Sequence, residues 1–198
     1  MATPIVTVYI DYKSPYAYLA KDPAWELERD FDVRLDWLPY TLNIPSFLGT
    51  VVDRNGHQWR RVRYSYMDAR RLANRRGLTV RGPQKIFDSS IAAIGMLYAK
   101  RQGVFRKYND IVFERFWKRA LDIEDREVIR AVLLESGASA SDFFDFLDAD
   151  GRLEHERITR QAEEIGIFGV PTFVIDGELF WGGDRLWMVR EKLGAPPT

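Results

Sequence analysis

The chain has 198 residues, 46% of them hydrophobic, which is enough for one globular domain, with or without a large insertion. Lysine plus arginine and aspartate plus glutamate both number 29, and this zero net charge argues against a nucleic-acid-binding protein. Cysteine is absent, which excludes disulfides, thiolate metal sites and a protein thiol nucleophile.

The two histidines and the short apolar stretches argue against a metal site, a signal peptide and a membrane span. His57 and His155 lie far apart in the sequence, so a transition-metal site is not expected. The apolar run over residues 5–10 is too short for the hydrophobic region of a signal peptide, and no stretch approaches the length of a membrane span. We therefore expect a cytoplasmic protein without a membrane or nucleic-acid partner.

The chain opens with a strand, a helix and a second strand. Residues 4–11 are rich in β-branched side chains, residues 15–29 have a helical pattern, and residues 31–39 alternate between apolar and polar. Such a βαβ crossover makes the two strands parallel neighbours. Ser14 and Pro15 stand where the first strand hands over to the helix, and their plain interpretation is a helix cap followed by a first-turn proline.

The middle of the chain predicts helices only. Residues 40–58 lack a regular pattern, and an apolar stripe with helical spacing follows at Trp59, Val62, Tyr66, Ala69 and Ala73. Further helices are predicted at residues 89–101, 105–120, 125–135 and 141–147. We interpret residues 41–150 as an inserted helical subdomain, and residues 1–40 and 151–198 as a thioredoxin-like domain.

The end of the chain returns to an α/β pattern. A helix over residues 152–165 precedes strands at 172–175 and 178–181, which Asp176-Gly177 joins as a hairpin turn. Asp184 is placed to cap a final helix over residues 185–193. The order is βαβ, helical insert, αββα, which predicts an α/β protein with a thioredoxin fold and a large all-α insertion.

Three stretches together carry a family resemblance. They are Asp11-Tyr12-Lys13-Ser14-Pro15-Tyr16, Gly166 to Phe173 with its Val170-Pro171-Thr172, and Gly177 to Leu186 with its Gly183-Asp184. In this order and spacing the chain resembles the DsbA-like superfamily, and within it the 2-hydroxychromene-2-carboxylate isomerases and the kappa-class glutathione transferases. The resemblance covers nearly the whole chain, including the position of the helical insert.

One departure from the disulfide-exchanging relatives decides the chemistry. They carry Cys-x-x-Cys at the start of the first helix, where this chain has Ser14-Pro15-Tyr16-Ala17, so it cannot exchange disulfides itself. A helix N-terminus still stabilises an anion, and it would lower the pKa of a thiol supplied from outside. The resemblance implies that this thiol is glutathione and that Ser14 stabilises its thiolate.

The resemblance also implies backbone contacts to glutathione. Val170, before a Pro171 that is usually cis in this family, would bind the peptide as an added strand does. Gly183 and Asp184 would bind its γ-glutamyl end, although relatives commonly have serine or glutamine in the place of Gly183. The plainer interpretations are a strand entry at Val170-Pro171 and a helix cap at Asp184, and the latter is compatible with binding.

The loop after the second strand and the following helix offer polar ligand contacts. Of its two asparagines we select Asn55 over Asn43 as the glutathione-binding one. The segment is rich in arginine, with Arg54, Arg60, Arg61, Arg63, Arg70, Arg71, Arg75, Arg76 and Arg81 against Asp53 and Asp68. Its plain interpretation is a solvated helix face, and its functional one is a carboxylate site, for which Arg61 and Arg63 are nearest to the expected cleft.

Aromatic side chains complete the predicted site. Tyr16, Tyr64 and Trp181 could form the walls of a flat acceptor site, although aromatic residues at such spacings are more often part of a core. With the arginines they fit a small aromatic acid as substrate, and the resemblance implies a role in the catabolism of aromatic compounds.

The resemblance implies a glutathione-dependent isomerase that works by reversible conjugate addition, with glutathione as cofactor. A glutathione transferase that releases the conjugate is the first alternative, and a non-catalytic thiol- or peptide-binding protein is the second. Relatives are commonly dimers, so a homodimer is expected.

Overall fold

The protein is built on a mixed four-stranded sheet with the strand order β2-β1-β3-β4. The computed structural model describes residues 3–196, apart from the side chain of Phe47. The strands are β1 Ile5–Ile10, β2 Arg34–Pro39, β3 Thr172–Ile175 and β4 Glu178–Trp181. β1 pairs in parallel with β2 and antiparallel with β3, and β3 is antiparallel to β4.

Nine α-helices and one short 3-10 helix accompany these strands within residues 3–196. They are α1 Pro15–Asp30, α2 Ile44–Leu48, α3 Gly56–Asn74, α4 Ser90–Arg101, α5 Phe105–Trp117, α6 Arg126–Ser136, α7 Phe143–Asp148, α8 Asp150–Glu164, the 3-10 helix Gly183–Arg185 and α9 Leu186–Lys192. The predicted βαβ start and ββα end are confirmed, and they form an α/β thioredoxin-like fold. The split into a core and an inserted domain stays a prediction.

No helix in the described part of the chain has the length and apolar character needed to cross a membrane.

The segment predicted as irregular, residues 40–58, contains a helix. α2 forms there because Asn43 accepts a hydrogen bond from the Ser46 N–H at 3.3 Å and Pro45 occupies the first turn. α3 begins at Gly56, three residues before the predicted stripe, because Asn55 and Gln58 form a reciprocal capping box. Hydrogen bonds of the Asn43 and Asn55 side chains therefore determine where α2 and α3 begin.

The predicted cap of the last helix is wrong. Gly182 has a φ of 106°, and the chain enters the 3-10 helix directly after it. Asp184 thus lies inside that turn, and α9 begins at Leu186 without a side-chain cap. The Asp184 carboxylate instead pairs with its neighbour Arg185, at 2.7 Å.

The loop between β1 and α1 is held from below by aromatic packing and by a buried carboxylate. The Tyr12 ring is 1% exposed and lies 4.8 Å from the Phe113 ring of α5, centre to centre. The Asp11 carboxylate accepts hydrogen bonds from the Lys13 N–H at 3.1 Å and from the Leu42 N–H at 2.7 Å. These contacts fix the three residues before Ser14 against the core and against the loop after β2.

Candidate active site

Ser14 caps α1, as the sequence predicts. Its backbone is extended, its Oγ accepts a hydrogen bond from the Ala17 N–H at 3.2 Å, and Pro15 occupies the first turn. The side chain of this residue lies at the positive end of a 16-residue helix, and the residue is 4% exposed. The position therefore favours negative charge next to the hydroxyl.

The second predicted motif faces this helix start. The Ser14 hydroxyl donates a hydrogen bond to the Val170 carbonyl at 3.2 Å, across 156 positions of sequence. The Val170-Pro171 peptide is cis, and the Thr172 hydroxyl donates to the Gly169 carbonyl at 2.7 Å. The Val170 N–H donates to no acceptor among the described residues. The structure thus brings the two motifs together and leaves one backbone donor beside Ser14.

A cleft of about 1180 Å³ opens above this pair of residues. Ser14 and Val170 line its floor, α3 forms one wall with Trp59, Val62 and Tyr66, and Trp181 lies on another side. The predicted apolar stripe of α3 is therefore divided, because Ala69 and Ala73 are fully buried while its first three members line the cleft. A cleft of this size holds a ligand larger than one small metabolite.

The charged side chains that line the cleft are cationic. No acidic side chain lines it among the described residues, whereas seven cationic ones do: Lys13, Arg54, Arg61, Arg63, Arg70, Lys85 and Arg119. The buried Lys13 ammonium lies 3.5 Å from Asp11, Lys85 pairs with Glu124, and Arg119 donates to the Gly82 carbonyl. The cationic excess lies on the α3 wall, and it favours an anionic ligand.

Tyr16 connects the floor to the α3 wall. Its hydroxyl donates to the Asp68 carboxylate at 3.1 Å and lies 3.3 Å from the Ser65 carbonyl. Burial, together with the negative charge of Asp68, raises the pKa of Tyr16 to about 12. The Tyr16 phenol therefore stays neutral at physiological pH and holds α1 against α3.

Trp181 closes the side of the cleft beside the cis peptide. Its indole is 55% exposed and packs against Phe168, with the ring centres 4.7 Å apart. A methyl group added at Gly169 would lie 2.7 Å from the indole Nε1, so the absence of a side chain lets the indole approach the backbone. An exposed, flat aromatic surface remains at the edge of the site.

Comparison with known proteins places the chain in a family. The family model described as DSBA-like thioredoxin domain matches residues 5–194. The chain belongs to this family. It is 28% identical over 193 residues to 2-hydroxychromene-2-carboxylate isomerase of Pseudomonas putida, covering 96% of this chain and 94% of that protein.

Two more DSBA-like relatives agree with this placement. The protein of the same name from Sphingobium xenophagum is 26% identical over 195 residues, which cover 96% of this chain and 98% of that one. A solved structure of 2-hydroxychromene-2-carboxylate isomerase superposes with a TM-score of 0.80 at 26% identity, covering 96% of this chain and 94% of that one.

Not all the predicted site residues of this DSBA-like chain lie in the cleft. Tyr16, Arg61, Val170 and Trp181 line it together with Ser14. Tyr64 does not: it is 58% exposed and borders a shallow depression on the outer side of α3, next to His57.

Asn55, Gly183 and Asp184 also lie outside the cleft lining. Asn55 is exposed and its side chain is committed to the capping box of α3. A methyl group at Gly183 would lie 3.0 Å from the Cβ of Ala20, so a side chain at this position would press against α1. The Gly182 N–H donates to the Pro171 carbonyl at 2.8 Å, so this turn is nevertheless joined to the cis peptide segment.

The structure adds Lys13 and Tyr66 to the predicted cleft residues, and it places Arg54 and Arg70 of the predicted arginine-rich segment in the lining. Lys13 stands within the first motif, directly before Ser14. Tyr66 was assigned to the apolar stripe, and Arg70 follows it at the i+4 spacing that places two side chains on one helix face. Arg54 precedes α3 in a loop, where no periodicity could have indicated its direction.

Proposed function

We propose that this protein is a glutathione-dependent isomerase of the 2-hydroxychromene-2-carboxylate isomerase type. One observation carries the proposal: a buried serine hydroxyl at the N-terminus of α1 faces the cis-proline segment, in a cationic cleft of a chain without cysteine. The names of the relatives from Pseudomonas putida and Sphingobium xenophagum support the reaction class.

The floor of the cleft fits glutathione. The Val170 N–H has no acceptor among the described residues, and the Val170 carbonyl accepts only from Ser14, so an extended peptide has one donor and one acceptor to pair with. The Ser14 hydroxyl would turn from this carbonyl toward the sulfur. Gly183 and Asp184, at the turn joined to Pro171, would hold the γ-glutamyl end.

Glutathione, when bound, would supply a thiolate that adds reversibly to the conjugated double bond of the substrate and so allows that bond to rotate. The residues of the protein would keep the sulfur ionised. The Ser14 hydroxyl would donate a hydrogen bond to it, and the dipole of α1 would add a partial positive charge from the helix end. The cationic α3 wall would hold the acidic substrate against this sulfur.

A conjugating glutathione transferase is the second candidate. The size of the cleft favours it, since about 1180 Å³ leaves room for a bulky electrophile beside the peptide, and Ile44, Leu48 and Phe87 add apolar lining. The two reactions share the thiolate and differ only in whether the adduct eliminates.

A spectroscopic assay with glutathione held below the substrate concentration separates them. We expect repeated turnover of 2-hydroxychromene-2-carboxylate, or of a related aryl pyruvate, with glutathione returned after each cycle. Turnover that stops after one equivalent of glutathione would identify a transferase. A chromene left untouched at every glutathione concentration would refute the substrate assignment.

A further inference from the structure

We propose that Arg54, Tyr66 and Arg70 form the subsite that binds the carboxylate of an aromatic acid in this cleft. The proposal deepens the proposed function and rests on it for the identity of the substrate. The sequence indicated Arg61 and Arg63 for this role. Arg70 is exposed as they are, and it is selected because its guanidinium lies with the Tyr66 ring beside Gly82.

Arg54 is anchored so that its terminal amino groups are left for a ligand. Its Nε donates to the Leu48 carbonyl at 3.0 Å, and its guanidinium lies 5.0 Å from the centre of the Trp59 ring. Its two terminal amino groups donate to no acceptor in the described part of the chain. A guanidinium held by its Nε and by an aromatic face offers a fixed fork, the geometry that carboxylates accept.

Tyr66 and Arg70 meet on the same face of α3, opposite Gly82. A methyl group at Gly82 would lie 3.6 Å from the Arg70 Nη2 and 3.8 Å from the Tyr66 ring. The Tyr66 ring packs against Trp117, with the ring centres 6.4 Å apart, and its hydroxyl makes no hydrogen bond to a described residue. Both side chains therefore lie within van der Waals reach of the Gly82 position.

The charge balance around this phenol is positive. Burial raises the pKa of Tyr66 to about 12, although the charges of Arg54 and Arg70 act in the opposite direction. The phenol therefore remains a neutral hydrogen-bond donor between two cations. The two acidic side chains of this segment have other hydrogen-bond partners. Asp53 accepts from the Thr50 hydroxyl at 2.5 Å, and Asp68 accepts from the Tyr16 hydroxyl.

The three donors fit a carboxylate on a planar ring better than a free inorganic anion. Trp59 and Val62 lie on the same stripe of α3 as Tyr66 and line the cleft beside it. They would hold an aromatic ring, while the two guanidinium groups and the phenol take the carboxylate oxygens.

Benzoate is the probe that tests this subsite, by calorimetric titration of the full chain without glutathione. Removal of one charge-assisted contact should weaken benzoate binding by about tenfold or more in Arg54→Gln and in Arg70→Gln, and by about threefold in Tyr66→Phe. Arg61→Gln and Arg63→Gln, which remove cations from the same wall, are the matched controls and should bind benzoate within about twofold of the parent.

Two further measurements keep the test decisive. Benzamide, which lacks the charge, should bind the unmodified protein at least about tenfold more weakly than benzoate. This comparison holds even if a variant fails to fold. Equal binding of benzoate and benzamide, or parent-like affinity in both arginine variants, would overturn the subsite.

The outcome is separable from that of the proposed function. Glutathione binding to the same variants should be unchanged, and its loss with benzoate binding intact would assign the arginines to glutathione and overturn the subsite. Absence of glutathione binding to the parent would refute the glutathione dependence, while the benzoate series would still support an anionic aromatic ligand.

Discussion

At the floor of the cleft Ser14 is buried and both of its hydrogen bonds are made within the protein, to Ala17 and Val170. Along the α3 wall the cations Arg61, Arg63 and Arg70 are exposed and pair with no carboxylate in the described residues. The Ser14 hydroxyl thus has both of its partners within the protein, whereas these cations of the wall have no counter-charge among the described residues.

This difference shows how the two regions would divide the work. The helix dipole at the floor is fixed in place and only the Ser14 hydroxyl has to turn, so the floor can stabilise charge with little rearrangement. The unpaired cations of the wall gain counter-charges only from a ligand, so the wall decides which acid is taken up. Substitutions at the floor should therefore change the rate, and substitutions of Arg54 and Arg70 at the wall should change affinity.

The largest effect is expected at the floor. Ser14→Ala should lower kcat for the chromene by about 10²-fold or more, because one preorganised donor to a developing charge is removed. The lost helix cap should lower the free energy of unfolding by only about 0.5–2 kcal/mol. Steady-state kinetics and urea unfolding check the two parts.

A cap removed elsewhere is the control. Asp125 caps α6 through the Glu127 N–H at 2.8 Å and the Val128 N–H at 3.2 Å. Asp125→Ala should cost a similar free energy of unfolding and leave kcat unchanged. Comparable activity losses in both variants would reduce Ser14 to a helix cap.

The next largest effect is expected at Gly169, where the floor of the cleft meets the Trp181 indole. Gly169→Ala places a methyl group 2.7 Å from the Trp181 indole, which must move away from the cleft side it now closes. Overpacking of this kind lowers the free energy of unfolding by about 1–3 kcal/mol. Because the displaced indole no longer closes the cleft, the KM for the substrate should rise by about tenfold with kcat little changed. Gly56→Ala, where the nearest side-chain atom is 3.5 Å away, should leave KM as it is.

A smaller change is expected when the hydrogen bond between Tyr16 of α1 and Asp68 of α3 is removed. Asp68→Ala removes the partner of the Tyr16 hydroxyl and loosens α3 from α1. We expect a loss of about 0.5–1.5 kcal/mol in the free energy of unfolding. The KM for the acid should rise while kcat stays near that of the parent. A fall in kcat with unchanged KM would contradict the division between floor and wall.

A buried histidine makes the stability depend on pH. The His155 Nε2 lies 2.9 Å from the Thr41 hydroxyl, and burial lowers the pKa of His155, with a further lowering from Arg152 that Asp11 and Asp88 oppose. The unfolded chain therefore binds a proton more readily, so stability should fall as pH drops below about 6.5 and be fully present above it. His155→Gln should flatten this slope in urea unfolding. Identical slopes in the variant and the parent would contradict the assignment of this pH dependence to His155.

The floor could be predicted from the sequence because local chemistry determines it. Ser14-Pro15 is a cap signal, and Val170-Pro171-Thr172 marks a strand entry, so the fold had only to bring them together. Asp184 could not be placed, since the backbone turn at Gly182 decides whether it precedes or enters a helix.

The wall was harder because helix faces depend on a rotation of 100° per residue. Tyr64 is two positions from both Val62 and Tyr66, so it points away from the face they share, and Tyr66 is the one of the two tyrosines that lines the cleft. Arg54 and Arg70 are separated by most of a helix in sequence. Only the packing of α3 and of the loop before it brings both to the lining of one cleft.

The pKa of the glutathione thiol in the complex tests the central claim most directly. It is measured from the ultraviolet absorbance of the thiolate against pH, with saturating unmodified protein, with Ser14→Ala and with no protein. We expect a fall of at least about one pKa unit from the value near 8.5 of a free thiol, and its partial reversal in Ser14→Ala. A bound thiol that titrates like the free one, or equally in both proteins, would contradict the account of Ser14.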